Sequence, residues 1–443
     1  MSESKLNHEL PKRTSYKRII VCSDGTWLSS NTGLDATPSN VAKLARSIAN
    51  RGMDTQGDLV DQIVFYHSGL GTGDLPLQKA IYGGLGLGLD LDVCQVYDFI
   101  ANNYERGDEI FMFGFSRGAF TVRSVASLVC EVGVLSSELM SHFPKLWKVY
   151  MGHTSGEPFT KTEWYLSNHE NLGLYPVKVK VVGVWDTVGA LGFPEWPVVS
   201  KLTKFGLPIN KQFAFHNTKV SKFLDYAFQA LAIDEKRLTF PPTLWHKSKD
   251  GPSINLQQCW FPGVHGNIGG QAEEDRSKGD HEEIGYNTFA WMRALDGNGV
   301  SNGWGCGPIL DNFAGLEGLL FRLLGRMDRT PGSYPRDPGD GSSGSTNEYF
   351  HPILRVRRMK LPRYNPRALQ GYSSEEPSDI GGWKWAKNGV ESIPEFVMDP
   401  QKTMSVAYDD EDVVRYRTEG SMSRRLCPRD ILRDLDRDNQ IMD

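Results

Sequence analysis

The chain has no excess of positive charge. Over 443 residues, 49 Lys and Arg stand against 54 Asp and Glu, a net charge of −5. A globally basic nucleic-acid binder is therefore excluded, because contact with phosphates needs clustered cations. Cysteine is scarce too. None of the six (Cys22, Cys94, Cys130, Cys259, Cys306 and Cys427) forms a C-x-x-C pair, which argues against a zinc ribbon or a thioredoxin-like site. Cys22, Cys94 and Cys130 lie in apolar stretches and read as buried free thiols, so a reduced, cytoplasmic protein is expected. No apolar run approaches the ~20 residues that cross a bilayer. The polar opening MSESKLNHELPKRTSYKR lacks the apolar core of a secretory signal. The glycine runs GLGTG and GGLGLG match neither G-x-G-x-x-G nor a G-K-[ST] loop, so no nucleotide cofactor is expected. Asp434, Asp436 and Asp438 imitate the start of a calcium loop, but Asn439 takes the glycine position and no Glu closes it, so no metal is expected either.

What is present is an alternation of short apolar runs and amphipathic stretches. Ile19–Cys22, Gln62–Tyr66, Glu109–Phe113, Val177–Trp185 and Gln257–Trp260 read as strands. Thr37 or Ser39 would cap a helix bearing Val41, Leu44 and Ile48. Leu91–Tyr104, AFTVRSVASLVCEVG (closed by Gly133), DYAFQALAIDEKR and Glu283–Leu295 read as further helices. Alternation of this kind predicts an α/β fold with a mostly parallel central sheet flanked by helices. Residues 1–17 read as a disordered leader, 18–300 as the core, and 191–255 as a cap-like insertion. Residues 301–443 read as a C-terminal extension with a mobile Gly/Pro/Ser-rich loop at 330–347.

Gly114-Phe115-Ser116-Arg117-Gly118 matches G-x-S-x-G. Glycine is frequent here, so the match alone is weak. Its setting, after an apolar strand and at the start of a helix, is that of a nucleophile elbow. A serine needs a base, and the base an orienting acid, in the chain order Ser, acid, His. Asp186 and His265 each follow a strand and satisfy that order; Asp186 would otherwise serve as a helix cap and His265 as a core histidine. His67 precedes the serine, and His216 and His246 follow no convincing strand. The backbone N–H of Arg117 would be one oxyanion donor, with Gly25 and Thr26 offering others and Asp24 holding that loop. The loop 67–74 would wall the site. A glycosidase-like pairing of Asp24 with Asp186 leaves Ser116 and His265 without a role.

With these residues in place, the chain resembles the α/β-hydrolase family typified by the catalytic domain of type VI secretion phospholipase effectors. The blocks that carry the resemblance are SDGTW (23–27), YHSGLGTG (66–73), GDEIFMFGFSRGAFTVR (107–123), VVGVWDTVGALG (181–192), FQALAIDEKR (228–237) and FPGVHGNIGG (261–270). The resemblance implies the triad Ser116, Asp186 and His265, and a lipid or phospholipid ester as substrate. One departure stands out: the family usually has an acidic residue two positions after its histidine, where this chain has Asn267. A serine esterase is therefore expected. An acyltransferase or lactone-processing enzyme, and a non-catalytic binding module on the same scaffold, are the alternatives. Peripheral membrane contact is compatible with either enzyme; the oligomeric state is not legible in the sequence.

Overall fold

The computed structural model describes residues 12–25, 38–69, 89–153, 157–188, 219–247, 254–271, 283–293, 309–313, 315–334, 345–375, 383–396, 405–408 and 414–417. Its centre is an eight-stranded sheet. In chain order the strands are β1 (Arg13–Ser23), β2 (Arg51–Met53), β3 (Leu59–His67), β4 (Glu109–Phe115), β5 (Val179–Trp185), β6 (Leu224–Ala232), β7 (Asn255–Phe261) and β8 (Glu348–Phe350). They lie in the order β2-β3-β1-β4-β5-β6-β7-β8. Every neighbouring pair is parallel except β2 with β3. The fold is α/β-hydrolase-like.

Strand pleating sorts the core into two layers. Ile19, Val21, Ile110 and Met112 point to one face, under helices α2 (Leu89–Asn103) and α3 (Ser116–Glu131). Ile20, Cys22, Phe111 and Phe113 point to the other, under α1 (Asn40–Ser47) and α4 (Glu283–Arg293). Ser39 caps α1 by accepting from the Ala42 N–H at 3.0 Å, as its position predicts; Thr37 lies outside the described residues. Cys22, Cys94, Cys130 and Cys259 are buried thiols outside any disulfide.

Three expectations change. DYAFQALAIDEKR, expected to be helical inside a cap at 191–255, supplies strand β6 in the sheet interior. Ala227–Ala232 is buried without a break, as parallel neighbours on both sides require. Residues 191–218, the first part of the expected cap, lie outside the described residues. Arg13–Lys17, expected within a disordered leader, belongs to β1. The sheet also continues past residue 300. Strand β8 pairs with β7, and Phe350, Leu354, Leu369 and Trp385 form a third core cluster with Leu231, Ile233 and Trp260. Most of the expected mobile loop, 335–344, lies outside the described residues.

Strand order reverses direction about β1: β3 lies on one side of it and β4 on the other. Open α/β sheets place their ligand crevice at such a switch point, beyond the carboxyl ends of the strands. The register brings those ends level, pairing Ser23 with Gly114, Phe115 with Trp185 and Trp185 with Ala230.

Candidate active site

Ser116 is the first residue of α3, directly after β4. Its φ is +57°, in the left-handed region that a side chain rarely adopts. The turn is tight enough that a Cβ on Gly118 would stand 2.2 Å from the Ser23 carbonyl oxygen, and one on Gly114 would stand 2.6 Å from that of Gly118. Glycine at both positions lets the helix descend onto β1 and β4, and this raises the Ser116 side chain above the strand ends.

His265 follows β7 and opens a short helical turn, His265–Ile268. Its Nε2 lies 2.8 Å from Ser116 Oγ. Its Nδ1 lies 2.7 Å from Asp186 Oδ2. Asp186, just past β5, also has a positive φ, +40°. The ring of His265 stacks on Phe115 at 4.6 Å and meets the Phe240 edge at 5.0 Å. Its main-chain N–H donates to Glu235 Oε2 at 3.1 Å. Ser116, Asp186 and His265 are thus joined in one chain of hydrogen bonds, although 149 residues separate the first from the last.

Asp186 is completely buried. Burial acts to raise its affinity for a proton. The charge of Arg329 and the hydrogen bonds from His265 and Arg329 outweigh that and hold the carboxyl well below the usual carboxylate range. The Ala232 N–H donates to Asp186 Oδ1 at 3.0 Å. Burial pushes the His265 imidazole below its ordinary value, against the pull of Asp186. A neutral imidazole with Nδ1 donating to a carboxylate leaves Nε2 free to accept the serine proton.

At the end of β1, Asp24 accepts from Tyr66 at 2.8 Å, from the Ser39 hydroxyl and from the Gly25 N–H at 2.9 Å. Burial raises its affinity for a proton, opposed by these donors. Asp24 therefore holds its loop. The Gly25 N–H is correspondingly engaged by Asp24, so its expected part as an oxyanion donor is not supported. Gly25 nonetheless abuts the serine: a Cβ there would lie 3.1 Å from that of Ser116. Thr26 lies outside the described residues. Arg117 is the second residue of α3, where its main-chain N–H joins the helix's amino end.

Among the described residues, the hydrogen bonds of this chain run through His265. His67 Nε2 meets Gln95 at 2.7 Å and Asp92 at 3.6 Å, and His246 is buried where its main chain pairs with Lys219 and Val220. His216 lies outside the description. The carboxylates of Asp24 and Asp186 are both committed to local donors, which leaves the glycosidase-like pairing without support. Asn267 Oδ1 accepts the main-chain N–H groups of Val264 and Leu310 at 3.1 and 3.2 Å, so it braces the turn that carries His265. Among the described residues no group of three His, Cys, Asp or Glu side chains could hold a metal ion, and no helix is long and apolar enough to cross a membrane.

Sequence reasoning missed Arg329 and Glu235. Arg329 donates to both oxygens of Asp186 at 3.0 Å. Glu235 accepts from His265, from Arg237 through both oxygens, and from Asn312 at 2.8 Å. Glu235 lies within the block FQALAIDEKR, where no local pattern marks it as a partner of the histidine. Arg329 lies beyond every block, at no recognisable spacing.

Residues 17–294 match the family described as "T6SS, Phospholipase effector Tle1-like, catalytic domain". An uncharacterised protein of Saccharomyces cerevisiae, YEL023C, is 28% identical in an alignment of 253 residues that covers 51% of this chain and 32% of that protein. The chain thus matches only a third of the length of that curated relative. A solved structure of an uncharacterised Pseudomonas aeruginosa protein aligns over 63% of this chain and 45% of its own, at 15% identity and a TM-score of 0.35. A structure of the Tle1 effector bound to the VgrG spike of the type 6 secretion system aligns over 62% of this chain and 56% of its own, at 18% identity and a TM-score of 0.30.

Proposed function

The chain belongs to the T6SS Tle1-like phospholipase effector catalytic-domain family, and on that premise we propose that it is a serine hydrolase of carboxylic esters, acting on the acyl esters of phospholipids. The observation that carries this reading is the Ser116–His265–Asp186 chain of hydrogen bonds, with the serine on a left-handed elbow at the carboxyl edge of the sheet.

In the proposed reaction His265 Nε2 takes the proton of Ser116 as Oγ attacks the ester carbonyl carbon. Asp186 accepts from Nδ1 throughout, which fixes the tautomer and stabilises the imidazolium. The tetrahedral oxygen carries the new negative charge. The Arg117 N–H and the amino end of α3 face it with positive dipole. Collapse breaks the C–O bond, and the imidazolium returns its proton to the departing alcohol. A water, deprotonated by His265, then attacks the acyl-serine, releases the carboxylic acid and regenerates Ser116.

The test uses the purified full chain with a fluorophosphonate probe and with phosphatidylcholine vesicles. The expected result is labelling and fatty-acid release by the wild type, and neither by Ser116→Ala. An unlabelled wild type, or labelling that survives Ser116→Ala, refutes the reading.

A further inference from the structure

We propose that Arg329 is a positioning residue of this site, supplied from outside the family-matched segment, which holds Asp186 by both oxygens and so sets the proton affinity of the Asp186–His265 pair. This role deepens the hydrolase reading and takes its link to turnover from that reading.

The geometry is that of a fork on a carboxylate. Nη1 of Arg329 meets Asp186 Oδ1 and Nη2 meets Oδ2, each at 3.0 Å, and Nη2 also donates to the Phe240 carbonyl at 2.9 Å. Arg329 is 2% exposed and Asp186 not at all. Two parallel bonds fix the plane of a carboxylate as well as its position. Asp186 Oδ2 is thereby aimed at His265 Nδ1, and the ring is turned so that Nε2 faces Ser116.

The backbone around Arg329 is anchored on both sides. Before it, Met327 N–H donates to the Lys236 carbonyl at 2.9 Å, and Arg237 and Arg326 form an antiparallel bridge. After it, the Pro331 carbonyl accepts from Tyr372 at 2.7 Å, and the Gly332 N–H donates to Glu348 at 2.9 Å. These contacts tie the segment to the loop after β6 on one side and to β8 on the other.

Three charged groups bear directly on His265, namely Asp186 after β5 and Glu235 and Arg237 after β6, and Arg329 reaches it through Asp186. Glu235 is matched by Arg237, whose Nε and Nη2 reach its two oxygens at 3.0 and 2.9 Å. Asp186 has Arg329 as its cation. Tyr334 lies close enough to Arg329 to influence it, and serves as a neutral phenol whose proton is held by burial up to about 12. Removing the guanidinium leaves the site one positive charge short. The Asp186–His265 pair then takes up a proton at higher pH, whichever partner carries it.

The experiment compares full-length wild type, Arg329→Gln and Arg329→Lys. It reads the pH dependence of kcat/KM on a 4-nitrophenyl ester. It also reads the imidazole titration of His265 by NMR of histidine-labelled protein, assigned by the signal lost in His265→Asn. Arg329→Gln is expected to move both midpoints upward by about one pH unit and to lower kcat about 100-fold with little change in KM. Arg329→Lys keeps the charge but not the fork, so it is expected to keep the midpoint while losing about tenfold in kcat. A folded Arg329→Gln protein whose His265 titrates as in the wild type overturns the proposal. If Arg329→Gln does not fold, Arg329→Lys decides: wild-type kcat overturns the proposal, and the split between preserved midpoint and reduced kcat supports it. The imidazole titration needs no turnover, so a wild type that fluorophosphonate does not label sinks the hydrolase reading while Arg329 is still tested.

Discussion

A serine hydroxyl at its ordinary pKa is a poor nucleophile, so the reactivity of Ser116 depends on what His265 and Asp186 do. Ser116→Ala and His265→Ala are each expected to lower ester turnover about 10⁴- to 10⁶-fold. Asp186→Asn is expected to cost about 10⁴-fold, because an amide at that position selects the wrong imidazole tautomer. Steady-state assays on a soluble ester check all three, and near-normal turnover in Asp186→Asn would remove that residue from the mechanism. His265 acts as a base only when neutral. Burial favours its neutral form, so activity is lost as pH falls through a midpoint below the free-imidazole value of about 6.5. A pH profile of kcat/KM with its acid limb centred above 7 would contradict this. These three residues were legible in the sequence because each lies just past the end of an apolar strand, in the order this architecture uses. Arg329 was not. A guanidinium reaches its partner from whatever direction the chain brings it, and nothing local marks one arginine as buried.

Short elements decide how precisely those side chains meet. The elbow could be read from sequence because a buried strand, two flanking glycines and a helix are all local signals. Gly118 shows what the locality protects. A Cβ there would strike the carbonyl oxygens of Ser23 and Asp24, at 2.2 and 2.5 Å, and these are backbone atoms that no rotamer change can move. Gly118→Ala is expected to cost about 1–3 kcal/mol of stability, measured as a lowered urea midpoint, and an unchanged midpoint would show that α3 can shift away. Asn40 is a second point at which elements are locked together. Its Nδ2 lies 3.0 Å from the Ile268 carbonyl, the Gly285 carbonyl and the Thr288 hydroxyl, tying α1 to the His265–Ile268 turn and to α4. Asn40→Ala is expected to cost about 1–3 kcal/mol. Asn40→Asp should cost more, because it sets a carboxylate oxygen against carbonyl oxygens with nothing to donate; equal urea midpoints for the two variants would show that the bonds carry little. Strand β6 was misread for the opposite reason to the elbow. DYAFQALAIDEKR has the composition of a good helix, and its fate was settled by two parallel neighbours distant in sequence.

At the scale of the molecule, the family-matched segment 17–294 does not close its own structure. It ends the sheet at β7, and the residues that finish that edge come from later in the chain. The buried Trp260 indole donates to Glu348 of β8 at 2.8 Å, and Gln258 donates to the Thr346 carbonyl. Asp234, buried after β6, accepts from Tyr364 at 2.8 Å. Cutting the chain after residue 300 would uncover the inner face of the third core cluster, leave the β7 edge unpaired and strip Asp186 of its counter-charge. An orphaned buried polar group costs about 1–3 kcal/mol, and an unpaired buried charge about 3–5 kcal/mol. Losses of that size rival the whole stability of a typical domain, about 5–15 kcal/mol. A fragment of residues 1–300 is therefore expected to show no cooperative thermal transition and no fluorophosphonate labelling at Ser116, while the full chain shows both. A soluble fragment that melts cooperatively and labels at the full-length rate would mean that the sheet and its charge network close without the later segment, and that β8 and Arg329 are additions to a site already complete.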